Sequence, residues 1–351
     1  MASPDGLGLG PTLDLEALAT WMQAQGLGED AITNVRQLGG GTQNIVLRFT
    51  HAGRDYVLRR PPAHKRDGND ETMRREARIL VALAESDVPH PRLIAACPDP
   101  EPLGAAFYLM EPVDGDNPIE RPPDPAARHA FGLGMVDALI ALSSVDVDAA
   151  GLGDLGRRDG WPERQVARWT RRLERYAETP GYAPPGGDVT ARIAWWLECH
   201  QPLFWQPGLV HGDYHLANVM VHRGSGRVAA VIDWELASIG DPLLDLGELL
   251  VTWPVRGGGA GLFDDLDGLP TPSELISHYT IESDRDLEDL NWFCVLAGLR
   301  LGVILEETYV RALTGKAPRE LGERMRTYAT NLFNAASDRC HRQEHDVRLP
   351  D

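Results

Sequence analysis

Asp213, Asn218 and Asp233 are the residues whose types and spacing point most directly to chemistry in this chain of 351 residues. In His211-Gly-Asp-Tyr-His-Leu-Ala-Asn218 an aspartate precedes an asparagine by five residues, and fifteen residues after the asparagine a second aspartate closes the apolar run Val228-Ala-Ala-Val-Ile232. The spacing matches H-x-D-x-x-x-x-N followed by D, a phosphoryl-transfer pattern in which one aspartate orients an attacking hydroxyl while the asparagine and the second aspartate hold Mg²⁺. Transfer of a γ-phosphoryl group is mostly positioning and charge neutralisation, so it needs hard oxygen ligands for the metal and a carboxylate near the acceptor proton. On this reading Asp213, Asn218 and Asp233 are the candidate catalytic residues, and Asn218 and Asp233 the metal ligands. The competing reading is a loop whose Asp and Asn make only turn hydrogen bonds.

The flanks say what must hold these side chains. Leu209-Val210 and Val228–Ile232 are short branched runs bounded by Gly and Arg, which predicts a hairpin with Asp213 and Asn218 in its incoming loop. Earlier in the chain, Leu13–Gln25 has the pattern of an amphipathic helix capped by Asp14 and stopped by Gly26. Gly39-Gly40-Gly41-Thr42-Gln43-Asn44 then forms a turn between two strand-like runs, either an ordinary hairpin or a cradle in which Gly40, Gly41, Thr42 and Asn44 meet phosphate. Tyr56–Arg60 is a third strand, with Val57 and Arg59 on one face and Tyr56, Leu58 and Arg60 on the other.

Met73–Glu85 is predicted as a helix with Thr72, Glu76, Ile79, Leu80 and Leu83 on one side, so Glu76 stands in an apolar stripe. A carboxylate there needs a cation, since an unpaired buried charge is costly. Arg59 can supply it, with Arg60 the rival. Phe107–Met110 reads as an apolar strand entering the turn Glu111-Pro-Val-Asp-Gly115, where the backbone at Glu111 and Val113 could contact an adenine edge. Helical patterns follow over 131–142, 159–178, from 239, over 287–312 and over 318–336, and Gly257–Gly261 reads as a flexible loop.

Composition narrows the partners. The net charge of −18 argues against nucleic acid and anionic membranes. Apolar residues make up 43% and charged residues 25%, enough for a sizeable core. No apolar run has membrane-spanning length, and the first residues carry no secretory pattern, so a cytoplasmic protein is expected. Cys97, Cys199, Cys294 and Cys340 are scattered without a C-x-x-C pair, which predicts reduced thiols and no zinc site. A metal-dependent hydrolase built on His211, His215 and His222 has little support, because these lie in a loop and strand without metal-ligand spacing on a helix. Lys65 and Lys316 are the only lysines and neither follows a Walker A pattern, so phosphate contacts fall to arginine.

Together these residues resemble the aminoglycoside phosphotransferase and choline kinase-like superfamily, and within it the kinase-like domains fused to some acyl-CoA dehydrogenases. The matching segments are Gly-Gly-Thr-Gln-Asn (40–44), Tyr-Val-Leu-Arg-Arg-Pro-Pro (56–62), Arg-Glu-Ala-Arg-Ile-Leu (75–80), Phe-Tyr-Leu-Met-Glu-Pro-Val-Asp-Gly (107–115), His-Gly-Asp-Tyr-His-Leu-Ala-Asn-Val-Met (211–220) and Val-Ile-Asp-Trp-Glu-Leu-Ala-Ser-Ile-Gly-Asp-Pro-Leu-Leu-Asp-Leu-Gly (231–247). The resemblance implies an α+β, bilobal protein-kinase-like fold: an N-lobe over 1–112 that binds the nucleotide and a C-lobe over 113–351 with the catalytic loop, metal site and substrate helices. It implies ATP, with GTP an alternative, and Mg²⁺ in the cleft. Asp213 takes the place of the base, Glu76 that of the helix partner of strand three, and Asp245 that of a brace for the catalytic loop.

Arginine in place of the usual strand-three lysine is a departure, and it leaves room for a second reading, a catalytically weak pseudokinase with a regulatory role. Only eleven residues separate Asp233 from Asp245, too few for a peptide-docking activation loop, so a small hydroxylated molecule is the expected acceptor. A hydroxy acid or its thioester is preferred over an aminoglycoside or other antibiotic. No dense carboxylate cluster appears, Glu306-Glu307 reads as a solvated helix face, and Arg164 and Arg168 could receive an anionic group.

Overall fold

The computed structural model describes residues 13–39, 44–62, 68–254 and 267–346. Gly40, Gly41 and Thr42 of the expected phosphate cradle, and the loop Gly257–Gly261, lie outside the described residues. The chain divides into two compact units, Met1–Gly115 with Ala229–Glu235, and Asp116–Val228 with Leu236–Asp351.

The first unit is built on a five-stranded antiparallel sheet. Helix α1 (Leu15–Ala24) starts at Asp14, whose carboxylate accepts the N–H groups of Glu16 and Ala17 at 3.0 and 2.9 Å. Strands β1 (Thr33–Gln37), β2 (Ile45–His51) and β3 (Arg54–Arg60), helix α2 (Asn69–Leu83), and strands β4 (Leu93–Cys97) and β5 (Phe107–Met110) follow, with sheet order β1-β2-β3-β5-β4. Ala52 and Gly53 both have positive φ, +48° and +73°, the conformation that matches a two-residue turn to the strand twist between β2 and β3. The two-residue period of the strands sorts the sheet into two faces. Leu47, Phe49, Tyr56, Leu58, Phe107 and Leu109 are buried in one core with Leu18 and Met22 of α1. Each such side chain contributes roughly 1.5–3 kcal/mol on full burial. The alternate positions Arg59 and Tyr108 point instead to Glu76 on α2.

The late segment 229–235 completes this unit. The Val231 N–H donates to the Pro89 carbonyl at 2.7 Å, and the buried Trp234 indole donates to the Val231 carbonyl at 3.1 Å.

The second unit is mainly helical. It holds α3 (Arg128–Ser143), α4 (Trp161–Ala177), α5 (Val189–Cys199), the short strands β6 (Gly208–Val210) and β7 (Val219–Val221), and, after β8 (Val228–Val231), strand β9 (Ser238–Gly240). Helices α6 (Leu243–Thr252), α7 (Pro272–Glu282), α8 (Leu290–Leu313) and α9 (Arg319–Asp346) complete it. The hairpin expected between Leu209-Val210 and Val228–Ile232 does not form. β6 pairs with β9, Leu209 opposite Ile239, while a local turn closed by His222 and Arg227 carries β7 into β8. Glycine permits the β6–β9 pairing: a Cβ on Gly240 would lie 2.8 Å from the Trp161 ring, and one on Gly208 2.7 Å from Pro242.

Helices α5 and α7 were not anticipated. Apolar residues run almost all round α5, which hides its period, and α7 announces itself only through the Thr271/Glu274 capping box. All ten residues of α6 are buried. Among the described residues no helix is long and apolar enough to cross a membrane.

Candidate active site

In the first unit, Arg59 stands at the centre of three carboxylates. Its Nε lies 2.9 Å from Glu76 Oε2, and its Nη2 lies 2.5 Å from Asp233 Oδ1 and 3.8 Å from Glu235. Tyr108 donates its hydroxyl to Glu76 Oε2 at 2.8 Å, and Asn44 donates its amide to Glu235 at 3.2 Å. Arg60, on the opposite side of the pleat, donates to the Pro61 carbonyl. Burial works against the charged guanidinium of Arg59, but Glu76, with Asp233 and Glu235, outweighs it and holds the group firmly protonated. For Glu76, 1% exposed, burial dominates over the pull of Arg59 and raises its carboxyl above the ordinary range.

Removing Arg59 leaves the buried Glu76 carboxylate without its cation, whereas removing Glu76 leaves Arg59 to Asp233 and Glu235. A double-mutant cycle on Arg59→Met and Glu76→Gln, read by urea unfolding, is expected to show coupling of about 1–3 kcal/mol. Additive losses would mean that each side chain is held by its other neighbours.

Asp233 has φ +67°, a left-handed conformation rare outside glycine, Asn and Asp. The turn projects the carboxylate back to Arg59 directly after β8. Glu111 forms a surface ion pair with Arg54 at 2.8 Å, and its N–H is taken by the Arg92 carbonyl. Val113 is half-buried just beyond it.

In the second unit, the loop from β6 to β7 carries Asp213 and Asn218 in direct contact. Asn218 donates its amide to the Asp213 carboxylate at 2.7 Å and to the Asp213 carbonyl at 2.9 Å. The Ala217 N–H meets His215 Nδ1 at 3.2 Å, so the neutral ring carries its proton on Nε2, which faces Asp213 Oδ1 at 3.3 Å. Burial alone would raise the Asp213 pKa, but His215, then Arg300 and His211, hold the carboxyl well below the usual range. Asp213 is thereby kept as a carboxylate with its acceptor geometry fixed.

Asp245, fully buried on α6, accepts the backbone N–H groups of His211 at 2.6 Å and Gly212 at 2.8 Å. Burial, with Glu248 next, pushes the Asp245 carboxyl up to about 7 against the pull of those two N–H groups. Gly212 has φ +77°, and a Cβ there would lie 2.7 Å from the Leu236 carbonyl oxygen. Only glycine fits this corner.

In the second unit the amide nitrogen of Asn218 is engaged by Asp213, so its carbonyl oxygen is the atom left to serve a cation; in the first unit Asp233 is a hard carboxylate donor. Among the described residues no cluster of three or more His, Cys, Asp or Glu side chains is arranged to hold a metal.

Several residues in these networks were not singled out from sequence. Tyr108 alternates with core positions on β5, a placement that only the paired sheet reveals. Glu248 lies one helical turn from Asp245, and Arg300 interrupts the apolar stretch Val295–Val303, a lone charge that signals a buried partner. Glu306, expected on a solvated face, is fully buried, with Arg326 3.6 Å away, and Glu307 pairs with Arg172. The close packing of α8 against α9 accounts for this.

A family model described as the phosphotransferase enzyme family matches residues 34–270, and the chain belongs to that family. The mouse acyl-CoA dehydrogenase family member 10 is 32% identical over 295 residues, which cover 80% of this chain and 27% of the relative. The chain thus spans about a quarter of that protein's length. A crystal structure from Ralstonia eutropha, proposed to be an aminoglycoside phosphotransferase, superposes with a TM-score of 0.75 at 29% identity, covering 93% of this chain and 99% of the other. A thermostable aminoglycoside phosphotransferase variant, solved as a ternary complex with AMP-PNP and hygromycin B, shares the fold, with a TM-score of 0.61 at 16% identity and coverage of 93% and 97%. The fold is the α+β, bilobal protein-kinase-like one.

Proposed function

We propose that this chain transfers the γ-phosphoryl group of ATP, or of GTP, to a hydroxyl of a small molecule, with a hydroxy acid or its thioester preferred over an aminoglycoside. The observation that carries the reading is Asp213, held as a carboxylate by His215 and Asn218 on a loop anchored by Asp245, in a chain of phosphotransferase family.

Asp213 orients the acceptor hydroxyl and takes its proton as the O–P bond forms and the bond to the departing nucleoside diphosphate breaks. Asn218 and Asp233 would hold Mg²⁺, which when bound neutralises charge on the β- and γ-phosphates. Arg59 offers a forked cation to the phosphates, and Glu76 with Tyr108 sets its direction. Gly40, Gly41, Thr42 and Asn44 complete the phosphate contacts, and the Glu111 carbonyl and Val113 N–H address the base. The retained Arg59–Glu76 pair supports a working enzyme over a regulatory nucleotide binder.

The acceptor preference rests on charge. Arg164 is tied to the Arg157 carbonyl, whereas Arg168 lies over the Trp169 ring at 4.9 Å and, among the described residues, has no carboxylate in ion-pair contact. Burial, followed by the nearby charges of Arg300 and Arg172, lowers its pKa. A cation so placed is relieved by an anionic group. Glu306 and Glu307, the carboxylates a polycationic antibiotic would need, are committed to Arg326 and Arg172.

The test is ADP release with MgATP across 3- and 4-hydroxybutyrate, their CoA thioesters, kanamycin, a macrolide and choline. The hydroxy acids or thioesters are expected to turn over fastest. A kcat/KM of about 10⁴ M⁻¹s⁻¹ or more on kanamycin would overturn the acceptor preference and leave the phosphotransferase reading intact.

A further inference from the structure

Arg300 is 5% exposed, and its guanidinium is divided among three elements. Nη1 donates to Glu248 Oε2 on α6 at 2.8 Å, Nη2 donates to the Gly212 carbonyl, and the group lies over the Trp169 ring of α4, 5.5 Å from its centroid. We propose that Arg300 and Glu248 are positioning residues for the transfer reaction: they fix the Gly212 peptide, and through it Asp213, relative to the helix that carries Arg168. The inference rests on the reading of Asp213 as the base.

The two peptide units that flank the Gly212 Cα are both held. The Gly212 N–H goes to Asp245, the Gly212 carbonyl receives Arg300, and the left-handed corner packed on the Leu236 carbonyl leaves little room for another path. Asp213 is the next residue, so a rotation at this peptide moves its carboxylate directly.

Glu248 is fully buried; burial raises its carboxyl above the ordinary range against the pull of Arg300, and the neighbouring Asp213 raises it further. Arg300 thus lies between the Glu248 carboxyl and the loop that carries Asp213, and its charge favours the ionised form of both acids. A buried ion pair of this kind is weak evidence for stability, because desolvation offsets much of the attraction. What it supplies here is a fixed, planar geometry joining the loop, α6 and α4. Lysine keeps the charge but cannot bridge two acceptors in one plane while stacking on an indole.

The experiment compares Arg300→Lys, Glu248→Gln, Asp213→Asn and the Arg300→Lys/Asp213→Asn double variant. The probe acceptor is the compound turned over fastest in the panel above, with MgATP. Arg300→Lys is expected to keep its nucleotide affinity and melt within a few degrees of wild type. Its kcat should fall about 10- to 100-fold with acceptor KM changed less than about threefold, and the double variant should be no slower than Asp213→Asn alone, because residues acting as a unit are non-additive. Amide exchange in the peptide spanning 208–220 should accelerate relative to the rest of α6 and α8. Glu248→Gln, nearly isosteric, should shift kcat in the same direction, and it decides the matter alone if Arg300→Lys does not fold.

A kcat within twofold of wild type in the deciding variant, or losses that multiply in the double variant, would overturn the positioning role. Asp213→Asn at the wild-type rate would instead overturn the assignment of the base, so the two failures are distinguishable.

Discussion

Asp213→Asn should lower kcat by about 10²–10⁴ while leaving nucleotide affinity almost unchanged, the usual worth of a positioned general base. The carboxylate is surrounded by donors: the Asn218 amide at 2.7 Å and His215 Nε2 at 3.3 Å, with Arg300 adding positive charge nearby. An amide in its place keeps the size but removes the negative charge and sets an NH₂ group against at least one donor. The neighbouring His215 cannot substitute, because its Nδ1 is occupied by the Ala217 N–H and its Nε2 carries the proton. Steady-state kinetics on the best acceptor, with ATP affinity from calorimetry and the melting temperature as a folding control, check this. A variant that turns over at nearly the wild-type rate would mean that the loop has been misread.

Asp233→Ala is expected to abolish the magnesium-dependent part of nucleotide binding. Asp233 supplies the full negative charge of the proposed metal ligand pair, whereas Asn218 contributes only a carbonyl dipole. The same substitution frees Arg59 from a 2.5 Å contact while leaving it paired with Glu76, so metal-free nucleotide should bind as well as before or better. Calorimetric titration with ATP, with and without Mg²⁺, separates these effects. Persisting enhancement by Mg²⁺ in the variant would remove Asp233 from the ligand set.

The fold class was legible because its local signals agree. The period of two on β3 and the apolar stripe of α2 together require a buried carboxylate facing a strand arginine, but the choice between Arg59 and Arg60 stayed open until the structure set Arg59 against Glu76 and Arg60 on the Pro61 carbonyl. What stayed hidden depends on contacts between distant parts of the chain. The pairing of β6 with β9 is decided by two glycines against Trp161 and Pro242, information that no window around residue 209 contains. Likewise, the loop 211–218 advertised its acids and histidines by spacing, but Glu248 and Arg300 reach it from helices 30 and more residues away. Glu306 escapes a sequence reading because a helix carrying two adjacent glutamates looks solvent-facing until a second helix packs across it.

The contribution of Ala229–Glu235 to the first unit bears on the order in which the protein can be made. Residues 13–115 can lay down the five-stranded sheet as they leave the ribosome, yet Arg59 then faces Glu76 without Asp233 or Glu235, and the Pro89 carbonyl awaits the Val231 N–H. More than a hundred further residues must be synthesised before those partners arrive. A fragment ending at residue 115 should therefore be less stable than the same residues within the whole chain, and adding a synthetic peptide of residues 226–238 should restore part of the deficit. During biosynthesis the first unit stays incomplete until the middle of the second has emerged, so a pause in translation between residues 115 and 229 prolongs the interval in which it is most open to proteolysis.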